Sequence, residues 1–182
     1  MSLKSTRDRY GTVAITFHWL SAALILVALT GGLVMTNSAD AATRAMILPV
    51  HATAGVLALL LTLIRAGWWI WGDKHPLPVA GQPKLQEVAA RIVHGLLYLA
   101  IIVLAASGIT TLLLSGAIPA LLSGAPLPDF SQLVPRMAHG ITSRVLMVLL
   151  AAHIGAALWH QFIRRDRLLL IGYLEELHAL KE

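Results

Sequence analysis

The chain has 182 residues, of which 57% are hydrophobic and only 13% charged, and its mean hydropathy is +0.75. A soluble domain carries about 25% charged residues, so the composition excludes one and points to an integral membrane protein of one small helical bundle. The net charge of +5 flanks apolar runs, which is an orientation signal and not a nucleic-acid footprint, and the lack of cysteine excludes disulfides, iron–sulfur clusters and zinc–thiolate sites.

In chain order, Met1–Gly11 is polar and basic, and the first apolar run, about 13–35, is long enough to span a bilayer. It is too long for a signal-peptide core and lacks a small-residue cleavage site, so an uncleaved first helix is expected. After a polar loop the second run is about 47–71, with Pro49 expected in its first turn. A Pro-rich link with Pro76, Pro78 and Pro83 leads to the third run, about 89–114. Residues 115–136 are too broken to span, although AIPALL suggests a short interfacial piece. The fourth run is about 137–163, ended by Arg164, Arg165 and Arg167, with a short amphipathic tail expected at the membrane surface.

The expected fold is therefore an all-α, integral membrane, four-helix up-down bundle in a single domain. Four spans put both termini on one side. All the basic residues but Arg44, Arg136 and Arg144 fall on or near that side, so both termini are expected in the cytoplasm. Trp68, Trp69 and Trp71 close the second span there as interfacial anchors.

One interval recurs in every span. His18 is followed fourteen residues later by Gly32, His51 by Arg65, His94 by Gly108, and His139 by His153. Fourteen residues are nearly four helical turns, about 21 Å of rise, so each pair lies on one face at two depths. Because spans alternate in direction, His51, His139, Gly32 and Gly108 share the far layer. His18, Arg65, His94, His153 and His160 share the layer near the termini.

Two histidines per layer suit a low-spin b-type haem with an imidazole on each side of the iron, an arrangement for electron transfer and not oxygen binding. No C-x-x-C-H is present, so the haem would be held non-covalently. Glycines at 32, 55, 108 and 140 would thin the helix walls beside it, and Arg65 could fork onto a propionate. The plainer alternative for each histidine is an interhelical hydrogen bond, and that alternative is stronger for His94 and His160. Spacing alone leaves open whether His18 pairs with His153 or with His94. His75 and His178 lie outside the spans and are expected to be solvated, and Gly31 and Gly155 are expected to be helix-packing positions.

ITFHWL around His18, VHATAG and LLLTLIRAGW from His51 through Arg65, AARIVHGLLY around His94, and HG with LAAHIGAALWHQF from His139 together resemble the bacterial cytochrome b561 family. That family is similar in turn to the membrane cytochrome b subunits of formate dehydrogenases and hydrogenases. The resemblance covers about Tyr10 to Arg167 and implies two haem b groups, one held by His18 and His153 on the cytoplasmic side and one by His51 and His139 on the periplasmic side.

It further implies a bacterial inner-membrane protein exchanging electrons with ubiquinone, and in one branch oxidising superoxide. The loop AIPALLSGAPLPDF matches neither branch. If superoxide is the donor, Arg44, Arg136 and Arg144 are the cations that could draw it in, and Arg144 could instead pair with a propionate. Two other functions are open to the sequence: an anchor subunit that relays electrons between a soluble dehydrogenase partner and quinone, and a haem-free transporter whose histidines relay protons. Apart from these partners the chain is expected to contact only membrane lipid. His94, Arg65 and the Trp cluster make the cytoplasmic layer the expected quinone side.

Overall fold

The structure, a computed structural model, describes residues 2–7, 9–76 and 83–164. The expected amphipathic tail, with His178, and Pro78 in the link lie outside them. Helix α1 is Thr12–Asn37, α2 Ala41–Gly67, α3 Lys84–Ser115, α4 the short Ala117–Ser123 and α5 Val134–Trp159. Single π-helical turns, Trp68–Gly72 and His160–Arg164, prolong α2 and α5. Four helices are long and apolar enough to cross a membrane, and no strand occurs among the described residues.

The helices, with their π turns, extend beyond the apolar runs at both ends. Asp40 caps α2 by accepting from the amides of Ala42 and Thr43, satisfying orphan donors of the first turn. Helix α2 therefore starts at Ala41, and Pro49 lies inside the helix, not in its first turn as the apolar boundary suggested. The amides of Thr12 and Val13 donate to the carbonyls of Ser2 and Leu3, so the N-terminal segment itself starts α1. It folds back so closely over Gly11 that a Cβ there would collide with the carbonyl carbon of Lys4. Gly116 and Gly124, at φ 72° and 70°, end α3 and α4 in the left-handed region where glycine carries no Cβ penalty. The interfacial piece expected from AIPALL is α4.

Packing is by pairs. Helix α1 lies along α2, and α3 along α5, while the two pairs meet through a slighter contact of α2 with α3. What they bury is small: Ala14, Ala54, Ala58, Ala100 and Ala117, with Leu48 and Leu146, as expected where helix backbones approach without a hydrophobic drive. The buried hydroxyls of Ser21, Thr62, Ser107 and Thr111 donate to carbonyls one turn earlier in their own helices, so none of these four is stranded. Among the described residues no large side chain is fully buried.

Candidate functional site

Histidines gather at two levels of the seam between the helix pairs. At the far level His51 of α2 faces His139 of α5, with ring centroids 5.9 Å apart and planes at 68°. At the near level His18 of α1 faces His153 of α5 at 6.2 Å and 62°. His94 of α3 also meets His153, at 5.2 Å. The structure thus brings together every residue that the fourteen-residue interval singled out, and α5 contributes a ring to each level.

At the far level both rings are fixed by the backbone. His51 donates its Nδ1–H to the carbonyl of Ala28, 2.7 Å, and His139 donates its own to the carbonyl of Leu104, 2.9 Å. A carbonyl can only accept, so each ring carries its proton on Nδ1 and leaves Nε2 with a free lone pair. The accepting carbonyls lie one helical turn before Gly32 and Gly108. A Cβ on either glycine would stand 3.3 Å from Cε1 of His51 or 3.2 Å from Cε1 of His139. These two glycines therefore make room for the imidazoles themselves, closer to the site than the haem slot expected of them. Nothing lies within 4 Å of a Cβ on Gly55 or Gly155, whereas Gly31 packs on Ile47 and His51. The Ser107 hydroxyl, 3.3 Å from Nδ1 of His139, adds a second polar neighbour on that ring.

At the near level the partner is a cation. Arg65 donates from Nη1 to Nδ1 of His18, 3.1 Å, and lies over the Tyr98 ring, 5.8 Å from its centroid. Its Nε is buried without a partner among the described residues, an open donor of the kind that asks for an anion. The level is closed from outside by aromatic contacts. Tyr10 meets Trp69 edge-on at 6.1 Å, and Trp69 stacks on His75 at 3.8 Å. His75 stacks on Trp69 while staying exposed, as expected of a residue outside the spans, and partial desolvation, the largest influence, holds its pKa below the ordinary histidine value, with the charge of Arg65 acting the same way.

Trp68 donates its indole N–H to Asp73. Trp68 and Trp69 are half-buried, and Trp71 is 84% exposed. His160 lies in the π turn with its ring against Trp159, 5.1 Å away.

Two residues of the site, Tyr98 and Ser107, were missed, and Arg136 was named only as a cation that could draw in superoxide. Arg136 is one turn before His139 on α5, and its place near the histidine face of that helix was the available signal. Tyr98, one turn after His94, and Ser107, beside Gly108, carried the same positional hint. Conversely, Arg144 is exposed. Half a helical turn separates it from the His153 face by periodicity, so the pairing with a far-level group expected of it is not supported.

Among the described residues no three of His, Asp and Glu converge on a point that could hold one metal ion. Each level brings two imidazole rings across the seam toward one another. With metal–nitrogen bonds of about 2 Å, two imidazoles on opposite sides of one metal have centroids about 6 Å apart. Both cross-seam pairs match this, and the closer His94–His153 pair does not.

The family model for prokaryotic cytochrome b561 matches residues 9–171. This chain belongs to the prokaryotic cytochrome b561 family. It is 31% identical over 168 residues to cytochrome b562 of Cereibacter sphaeroides, covering 88% of this chain and 92% of that one. It is also 31% identical over 180 residues to cytochrome b561 homolog 2 of Escherichia coli, covering 91% and 92%, and 26% identical over 174 residues to homolog 1, covering 90% and 96%. No solved structure matches the chain. Membership makes this a bacterial membrane protein of electron transfer and haem b its cofactor. The residues present fit that group: opposed imidazoles with fixed tautomers at one level, and at the other a buried guanidinium with an open donor.

Proposed function

We propose that this cytochrome b561 relays electrons across the bacterial inner membrane through two bis-histidine haem b groups, between ubiquinone and a donor on the far, periplasmic side. Both termini would face the cytoplasm. Superoxide is the donor to test first. The observation that carries the reading is the pair of cross-seam imidazole contacts, 6.2 and 5.9 Å between centroids, at two levels of α5. On this reading His18 and His153 are the near axial ligands and His51 and His139 the far ones.

Haem b, held by these histidines, would supply a one-electron couple suited to electron transfer. The chain supplies the rest. The carbonyls of Ala28 and Leu104 hold the far rings in the ligating tautomer and raise their basicity. Arg65 offers its fork to a propionate, with Tyr98 beneath it, and His94 stands beside the near pair as a donor toward a propionate or a quinone oxygen. Tyr10, Trp69 and His75 cover that level, which favours the near layer for quinone. Two superoxide ions would each give one electron and leave as dioxygen, while one quinone takes both electrons and two protons from the cytoplasmic side.

An optical spectrum of the purified protein tests the reading. About two haems b per chain, reduced by superoxide and reoxidised by ubiquinone, are expected. A protein without a reduced b-type spectrum would sink the proposal in favour of a proton-relaying transporter. Haems that accept electrons only from a co-purified dehydrogenase would replace it with the anchor-subunit reading.

A further inference from the structure

Arg136 is the one charged group of the far level whose setting neither the fold nor the ligand pairs explain. It lies in the first turn of α5, three residues before His139, and is half-buried. Its guanidinium folds back along its own helix, so that Nη1 would stand 3.2 Å from a Cβ on Gly140. A Cβ at position 140 would therefore crowd the Arg136 guanidinium. The other far-side cations are accounted for: Arg44 donates to the carbonyl of Ser38, and Arg144 is exposed.

The far-side carboxylates are engaged elsewhere. Asp40 caps α2, and Asp129 accepts from the amide and hydroxyl of Ser131. Among the described residues no carboxylate pairs with Arg136. A guanidinium at membrane depth is costly without an anion, and its planar fork matches a carboxylate better than a small round ion.

We propose that Arg136 is the far level's carboxylate-binding side chain and that it holds a propionate of the haem bound by His51 and His139. The inference rests on the haem reading above and goes beyond it by giving the far level its own counterpart of Arg65. Arg136 positions the haem and does not ligate it. It also withdraws Arg136 from the set of free charges that could steer an incoming anion.

The test is haem loss from the detergent-purified holoprotein to excess apomyoglobin. The far haem is identified as the one whose spectral band is absent from His51→Ala. Arg136→Gln should release the far haem at least about tenfold faster, the scale of a lost supporting contact, and leave the near haem's rate unchanged, which also shows that the bundle is intact. Arg136→Lys should fall between, since it keeps the charge and loses the fork.

Wild type and Arg136→Gln reconstituted with the dimethyl ester of haem should lose it at the same rate, because no carboxylate is left to hold. The proposal is overturned if Arg136→Gln retains the far haem like wild type, if the ester shows the same difference as the acid, or if both haems leave together. Unchanged haem loss with slower reduction by superoxide would assign Arg136 to an incoming anion instead. A wild-type protein without haem would refute the ligand reading itself, before Arg136 enters.

Discussion

At the far level His51 and His139 are tied through Nδ1 to the carbonyls of Ala28 and Leu104, while at the near level His18 takes a hydrogen bond from Arg65 through the same nitrogen. The far rings hold the tautomer that leaves Nε2 free. His18, accepting at Nδ1, carries its proton on Nε2 when neutral. Ligation there requires the proton to change nitrogens and Arg65 to turn toward another acceptor, which its buried, unpartnered Nε is placed to meet. One helix, α5, therefore serves a level fixed by the backbone and a level whose polar neighbour is a cation.

The largest effect should come from the ligands. His51→Ala or His139→Ala should remove the far haem and leave the near one, and His18→Ala or His153→Ala should do the reverse, read as about one haem per chain with a different surviving band in each set. His94→Ala should keep both haems, because its 5.2 Å approach to His153 is too short for two rings sharing a metal. Loss of the near haem in that variant would exchange the roles of His94 and His18.

A second test acts on the far level alone. Gly108→Ala puts a Cβ 3.2 Å from the His139 ring, and Gly32→Ala puts one 3.3 Å from that of His51, so the ring or the helix must give by a few tenths of an ångström. Each should weaken far-haem retention about tenfold, as loss of an orienting contact does. Gly55→Ala, with nothing within 4 Å, should change neither haem. If all three behave alike, the glycines serve the helices in general and not the rings.

These residues also show what the sequence could reveal. The spans and both histidine levels were legible because apolar length and a fourteen-residue period survive any packing detail, and the three breaks of the bundle are marked by Asp40, Pro83 and Gly116. The start of α2 was not, since hydropathy reports where the hydrocarbon begins and Asp40 caps beyond it. Nor was the task of Gly32 and Gly108. The interval placed them at the right depth, but only the cross-helix geometry shows that an imidazole and a carbonyl occupy the space a Cβ would take. Arg136 was read as a cation that could draw in superoxide, because a charge at a span boundary looks the same whether it turns outward or along its own helix toward Gly140.

The near level is tested through its cation. Arg65→Gln removes a positive charge that stabilises the reduced haem, so the near midpoint should fall by about 60 mV, a tenfold change for one electron. Arg65→Lys should lower it less, keeping the charge without the fork. The far midpoint should hardly move in either variant. Equal shifts at both levels would mean that Arg65 acts on the bundle as a whole.

The smallest effect concerns the clasp that closes the near level. Ser5 donates its amide and hydroxyl to the Asp73 carboxylate, at 2.9 and 2.7 Å to Oδ2, and so ties the N-terminal segment to the link after α2. Burial acts to raise the Asp73 pKa, but hydrogen bonds from Ser5, the Lys74 amide and the Trp68 indole outweigh it and hold the carboxyl below its usual range. A depressed carboxyl contributes stability that is complete above the unfolded value of about 3.9 and is lost as pH falls through the lower folded value.

The clasp should thus be indifferent to pH from 8 down to about 4 and loosen only below. Asp73→Asn should loosen it at every pH, by about 1 kcal/mol or fivefold in the open population, since the site is largely exposed and charge-assisted bonds are screened there. The natural chain has no cysteine, so spin labels on cysteines introduced at Leu3 and Lys74 report the closed distance without background. A distance distribution that broadens between pH 8 and 5 in the Asp73 protein would contradict the assignment and leave His75, stacked on Trp69, as the group that holds the clasp.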